Sequence, residues 1–163
     1  MLDAIQWDAD LIHRYDQAGP RYTSYPTAVQ FHGDIGPFDL LHALRDSRKE
    51  LRPHSLYVHV PFCAHICYYC ACNKVITKDR GRSQPYLQEL AHEMAIIGRH
   101  LDGRQRAEQL HLGGGTPTFL SHDELRQLMA RLRSHFQLLD DDSGDYSIEI
   151  DPREADWSTM GLL

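Results

Sequence analysis

The sequence predicts an α/β fold: part of a parallel (β/α) barrel with three βα units, preceded by a helical N-terminal arm. Three observations carry this. Short runs of alternating apolar and polar residues recur at 55–60, 109–112 and 146–150; stretches with helical spacing separate them; and each strand ends at a cysteine-rich, glycine-rich or acidic segment. The order strand, helix, strand, helix, strand specifies parallel strands with right-handed crossovers. Parallel strands share one C-terminal edge, so all three segments gather there, where α/β folds hold their ligands.

Taken in order, residues 8–17 (DADLIHRYDQ) read as a short helix stopped by Gly19-Pro20. Residues 21–27 (RYTSYPT) suit either an extended arm laid over a site or an ordinary surface loop. Residues 38–49 read as an amphipathic helix with Phe38, Leu41 and Leu44 on one stripe. In the strand at 55–60, Leu56, Val58 and Val60 alternate with Tyr57 and His59, and Pro61 ends it. Residues 84–101 place Leu87, Leu90, Met94, Ile97 and Leu101 at helical spacing. The strand at 109–112 runs into Gly113-Gly114-Gly115-Thr116-Pro117. Ser121 and Glu124 form a capping box for a helix that buries Leu125, Leu128, Met129, Leu132 and Phe136. The acidic turn at 140–144 stops that helix, a third strand covers 146–150, and another helix begins after Glu154.

Strand parity adds a constraint. Tyr57, His59, His111, Gly113, Ser147, Glu149 and Asp151 share the polar parity, whereas Leu56, Val58, Val60, Leu110, Leu112, Ile148 and Ile150 share the apolar one. A flat sheet covered on both faces would be apolar on both. The pattern therefore predicts one helix-covered side and one polar, cavity-lining side.

At 163 residues and 42% apolar content, the chain is long enough for one domain with a core and short for two. A net charge of −6 without a basic block argues against a nucleic-acid partner. No window of 18 apolar residues predicts a membrane span, and the N-terminus does not read as a signal peptide; the expectation is a cytoplasmic protein.

All four cysteines, Cys63, Cys67, Cys70 and Cys72, fall within ten positions. In a reducing compartment such crowding points to metal or redox chemistry rather than disulfides. Spacing alone leaves two readings open, a structural zinc site and an iron–sulfur cluster. Three thiolates on one loop can hold three irons of a cubane and leave the fourth open for chemistry, with Phe62, Tyr68 and Tyr69 as candidate shields. Cys72 is a spectator, a further ligand or a catalytic group. The triple glycine lacks the lysine of a P-loop, so it is either a tight turn or a place where backbone approaches a ligand closely. Glu149 is a candidate for ribose hydroxyls or an amino group, or else an inward charge paired with arginine.

Residues 63–72, CAHICYYCAC, resemble the CxxxCxxC signature of the radical S-adenosylmethionine (SAM) enzymes. GPRYTSYPT, LYVHVPFC, CNK, LHLGGGTPT and SIEIDPRE are similar to patterns of the oxygen-independent coproporphyrinogen III oxidases, a resemblance spanning essentially the whole chain. It implies a barrel of the radical SAM type and a [4Fe-4S] cluster on Cys63, Cys67 and Cys70. SAM on the open iron would be cleaved reductively to a 5′-deoxyadenosyl radical, which would start oxidative decarboxylation of two propionates of coproporphyrinogen III. The product would be protoporphyrinogen IX, in haem biosynthesis. By resemblance, Tyr57, Gly114 and Glu149 contact the SAM on the cluster, and Tyr69, Gly115 and Thr116 contact a second SAM. Tyr69 stands where the family often has phenylalanine. His59 and Cys72 are possible auxiliary residues, and Arg21, Tyr22 and Tyr25 belong to a substrate-covering arm.

The implied organisation is an arm over 1–50 and an incomplete barrel over 51–163, with the rest of the barrel and a C-terminal domain absent. The expectation is a truncated, inactive fragment of a monomeric enzyme that takes a porphyrinogen substrate and electrons from a donor. Two alternatives stand beside it: a haem-binding chaperone-type relative without oxidase activity, and a zinc-stabilised domain.

Overall fold

The computed structural model describes residues 7–17 and 27–163. Chain compaction divides the protein into Met1–Gly36 and Pro37–Leu163. In the first unit, α1 (Ala9–Tyr15) is capped by the Asp8 carboxylate, which accepts from Leu11 N at 2.9 Å, and it buries none of its residues.

The second unit is built on a parallel sheet. β1 (His54–Val60) pairs with the long central β4 (Arg106–Gly114) from His54↔Ala107 to Val60↔Gly114. The other side of β4 is shared: β5 (Gln137–Leu138) pairs with its start and β6 (Asp145–Ile148) with its middle, Leu112↔Ile148 being the last pair. Between β5 and β6 the chain makes the acidic excursion, which Tyr146 closes. Its hydroxyl accepts from Leu139 N at 2.6 Å and donates to Ala107 O at 2.7 Å. The sheet is open, not a closed barrel.

The predicted helices lie between the strands. α3 (Ser83–Gly98) buries Leu87 and Met94, and α4 (His122–His135) buries Leu125, Leu128 and Leu132. They cover the face bearing Val58, Val60, Leu110 and Leu112, while Tyr57 on the other face is exposed, so the parity argument holds. Full burial of a leucine such as Leu128 contributes about 1.5–3 kcal/mol. The capping box forms as expected: Glu124 N donates to Ser121 Oγ at 3.3 Å and Ser121 N to Glu124 Oε2 at 2.8 Å. The same buried carboxylate accepts from Ser83 Oγ at 2.5 Å, joining the starts of α3 and α4. α5 (Trp157–Leu162) follows the site-forming turn.

Three expectations need correction. In α2 (Pro37–Glu50), Phe38 is exposed, and the half-buried positions are Leu41, Leu44 and Ser47. The helix is held at its C-terminal end, where buried Gln105 donates to Ser47 O at 3.1 Å and to Arg52 O at 2.9 Å. β4 runs longer than predicted, taking in Gly113 and Gly114, because β1 pairs with it to Val60. Three short strands were not foreseen: β2 (Phe62–Cys63) and β3 (Val75–Ile76) pair in parallel beneath the cysteine loop, and β5 follows α4 directly, so that helix ends at His135 rather than at the acidic turn. Among the described residues, no helix is long and apolar enough to cross a membrane.

Candidate active site

The cysteine loop is shaped at its base. Pro61 follows β1 and, having no N–H, can only accept on the side away from β4. The chain then doubles the pairing through β2 and β3, with Val75 N donating to Pro61 O at 2.7 Å and Thr77 N to Cys63 O at 2.9 Å. Residues 64–74 leave and re-enter through this pinch. Cys63 is buried, Cys67 and Cys70 are half-buried, and Cys72 is exposed. Cys70 N donates to Cys67 O at 3.2 Å, a turn that brings the middle of the loop back on itself.

β4 supplies the opposing wall. Gly115 N donates to Val60 O and Thr116 N to Phe62 O, each at 2.8 Å, and the Thr116 hydroxyl donates to Cys63 Sγ at 3.6 Å. A Cβ on Gly115 would stand 2.7 Å from Pro61 O and 2.8 Å from Cys63 Sγ. Gly114, at φ +114°, takes a backbone conformation natural to glycine, and a Cβ there would meet the His59 ring at 2.7 Å. The triple glycine is therefore not a tight turn. It lets β4 press against β1 and the base of the cysteine loop.

The polar face of the sheet carries a connected lattice. His59 Nε2 lies 2.8 Å from Asn73 O, and a carbonyl only accepts, so Nε2 carries the proton. In the neutral ring Nδ1 then accepts from Tyr57 Oη at 3.1 Å. Partial desolvation, then the Glu149 charge, push the phenol of this otherwise exposed tyrosine above its ordinary value. Tyr57 stacks on His111, whose Nδ1 meets Ser147 Oγ at 2.8 Å and whose Nε2 lies 3.4 Å from Glu149 Oε1. The other Glu149 oxygen accepts from Gly114 N at 3.1 Å. Glu149 is thus held by a histidine and a backbone amide rather than by arginine.

Beyond β6, the turn carries Asp151, which strand parity places at this edge, together with Arg153 and Glu154, to which the sequence assigned no role. Asp151 grips Arg153 through Nε at 3.0 Å and Nη2 at 2.7 Å, and these hydrogen bonds hold the Asp151 carboxyl below its ordinary value. Arg153 Nη2 also donates to Cys67 Sγ at 3.9 Å. Glu154 accepts from Arg80 at 2.6 Å and meets His65 Nδ1 of the cysteine loop at 3.5 Å, while Arg80 lies over the Phe119 ring at 4.2 Å. The SIEIDPRE run held these residues, but partners 74 and 86 positions away leave no local pattern.

One cavity of about 690 Å³ brings the features together: Cys63, Cys67, Cys70 and Cys72 line it along with Tyr69, Gly114, Gly115, Thr116, Glu149 and Arg153. Tyr57 and His59 lie on the neighbouring sheet face. Tyr68 and Tyr69 are exposed on the cavity's rim, and of the three expected aromatic shields Phe62 is the buried one, stacked on Phe119 at 5.3 Å. Arg21, Tyr22 and Tyr25 lie outside the described residues. Among the described residues, no three His, Cys, Asp or Glu side chains converge as the ligands of a single ion do. A cubane binds each thiolate to a different iron, and three cysteines of one loop lining one cavity are a donor set of the chemistry it needs.

The radical SAM superfamily profile matches residues 57–155. The oxygen-independent coproporphyrinogen III oxidase of Pseudomonas aeruginosa is 76% identical over 163 residues, covering all of this chain and 35% of that protein. The protein of the same name from Mannheimia haemolytica is 44% identical over 151 residues, 93% of this chain and all of that relative. In solved structures, the coproporphyrinogen III oxidase HemN of Escherichia coli, described as a radical SAM enzyme, superposes with a TM-score of 0.78 at 40% identity, covering 97% of this chain and 34% of that one. The chain spans about a third of the length of the Pseudomonas and Escherichia relatives.

Proposed function

The chain belongs to the radical SAM superfamily and, within it, to the oxygen-independent coproporphyrinogen III oxidase family, and from that membership we propose that it forms the cluster- and cofactor-binding part of an enzyme converting coproporphyrinogen III to protoporphyrinogen IX. Members of the superfamily use SAM and a [4Fe-4S] cluster. The observation that carries the reading is the single cavity walled by Cys63, Cys67 and Cys70 on one side and by Gly114–Thr116 and Glu149 on the other. When bound, the cluster supplies the electron and the open iron with which SAM is activated for oxidative decarboxylation of two propionates.

The chain's own residues bind and orient. Cys63, Cys67 and Cys70 hold the cluster, and the Thr116 hydroxyl donates to the Cys63 sulfur. Glu149, already accepting from Gly114 N, keeps lone pairs for an ammonium or ribose hydroxyl of the first SAM, flanked by Tyr57. Tyr69, Gly115 and Thr116 serve a second SAM, and His59 and Cys72 are auxiliary. An external one-electron donor reduces the cluster.

The test is anaerobic iron–sulfide reconstitution followed by EPR of the reduced protein with and without SAM. The reading expects a [4Fe-4S] signal whose shape changes on adding SAM. A cluster spectrum indifferent to SAM, or no cluster at all, refutes it.

A further inference from the structure

The turn after β6 touches the cysteine loop at two consecutive residues. Glu154 reaches His65, between the first two cysteines, and Arg153 reaches Cys67 itself. The second contact is a charged N–H donor aimed at a sulfur. It is not a chance surface approach: Asp151, only 16% exposed, accepts from Nε and from Nη2, and Nη2, which carries two N–H groups, also donates to Cys67 Sγ. Glu154, 13% exposed, anchors the same turn to Arg80 and so fixes where Arg153 begins. Neither Cys63 nor Cys70 is given a charged donor among the described residues' hydrogen bonds; Cys63 has the neutral Thr116 hydroxyl.

Hydrogen bonds to ligand sulfurs stabilise the reduced, more negative state of an iron–sulfur cluster, and outer-shell groups tune metal sites in this way generally. A guanidinium remains charged over the whole working range, so its effect does not titrate away. We infer that Arg153, oriented by Asp151, is a positioning and tuning residue that raises the reduction potential of the cluster through the Cys67 sulfur. This rests on the proposed function, since it requires the cluster to be carried by Cys67. The device makes the first electron easier to accept from the external donor.

The experiment is an EPR-monitored redox titration of the reconstituted chain and of Arg153→Gln, Arg153→Met and Lys74→Gln. Lys74 serves as a charge-removal control, because it lies on the same loop and its Nζ donates to Cys72 O at 3.3 Å rather than to a sulfur. In both Arg153 variants the ratio of reduced to oxidised cluster at a fixed potential should fall about tenfold, which for one electron is a shift of about 59 mV to lower potential. Lys74→Gln should move it much less. Retained clusters with an unshifted midpoint in the Arg153 variants, or an equal shift in Lys74→Gln, would overturn the inference. Loss of the cluster from both Arg153 variants alone would also overturn it, leaving Arg153 a purely structural residue. A wild-type chain that forms no cluster would instead remove the proposed function, and the inference with it.

Discussion

Replacing Gly115 with alanine isolates the close approach on which the site is built. Its backbone is not in the left-handed region, so an added methyl meets no conformational penalty, only its neighbours. Those neighbours are Pro61 O at 2.7 Å and Cys63 Sγ and Phe62 O, both at 2.8 Å. Two of the three are backbone carbonyls, which cannot rotate aside. Overpacking of this kind costs about 1–3 kcal/mol, and displacing the Gly115–Val60 or Thr116–Phe62 hydrogen bond adds about 0.5–1.5 kcal/mol, so about 1.5–4.5 kcal/mol is expected. Urea unfolding of Gly115→Ala should show a lowered midpoint, and native-state labelling of the buried Cys63 thiol should accelerate. Gly103→Ala, with nothing within 4 Å of the added carbon, is the control and should be neutral or slightly stabilising. A Gly115→Ala protein that loses less than about 0.5 kcal/mol, with Cys63 still protected, would refute the claim that β4 presses on the base of the cysteine loop.

Three further outcomes follow from the packing. For Glu124, burial pushes the carboxyl up, but hydrogen bonds from Ser83, Ser121 and Gln84 outweigh it and hold it below the ordinary 4.5. A depressed folded-state pKa contributes stability above the unfolded value and loses it as pH falls through the folded one. Glu124→Gln should therefore cost about 1–3 kcal/mol near neutrality, with the gap to wild type narrowing in urea melts run below the carboxylate range. Tyr146→Phe removes the hydroxyl that ties the acidic excursion to β4, so it should cost about 1–3 kcal/mol and speed amide exchange at Leu139. Leu128→Ala empties a position 1% exposed in the core and should lower stability by about 2–5 kcal/mol in the same melts.

What the sequence made legible was whatever repeats with a local period or obeys a local cap. The alternation at Leu56–Val60 and Leu110–Leu112 survives because one face of the sheet is covered and the other is not. Ser121 and Glu124 announce their helix because the capping box is complete within three residues. β2 and β3 are two-residue pairings whose register depends on Pro61 and Val75 meeting across the cysteine loop, and two residues show no period. Phe38 fits the helical stripe it was assigned to, yet amphipathicity alone does not say which turns find a partner; Gln105, far along the chain, decides that for α2.

The site divides along the same line. Four cysteines on one loop, three glycines and Glu149 could be brought to one edge by strand order alone. How they interlock could not, since Gly115 is small for the sake of Cys63 and Phe62, and Glu149 is held by His111 and Gly114 N, all contacts between strands. Arg80, Arg153 and Glu154 carry no local pattern that marks them, and their partners are found only once the turn after β6 is placed beside the loop.

The most direct test of the central claim is a count of iron and sulfide bound per chain after anaerobic reconstitution of four serine variants: Cys63→Ser, Cys67→Ser, Cys70→Ser and Cys72→Ser. The account predicts about four irons per chain in wild type and in Cys72→Ser, and loss of the cluster in each of the other three. A cluster that survives the loss of Cys63, Cys67 or Cys70, or that requires Cys72, would contradict it.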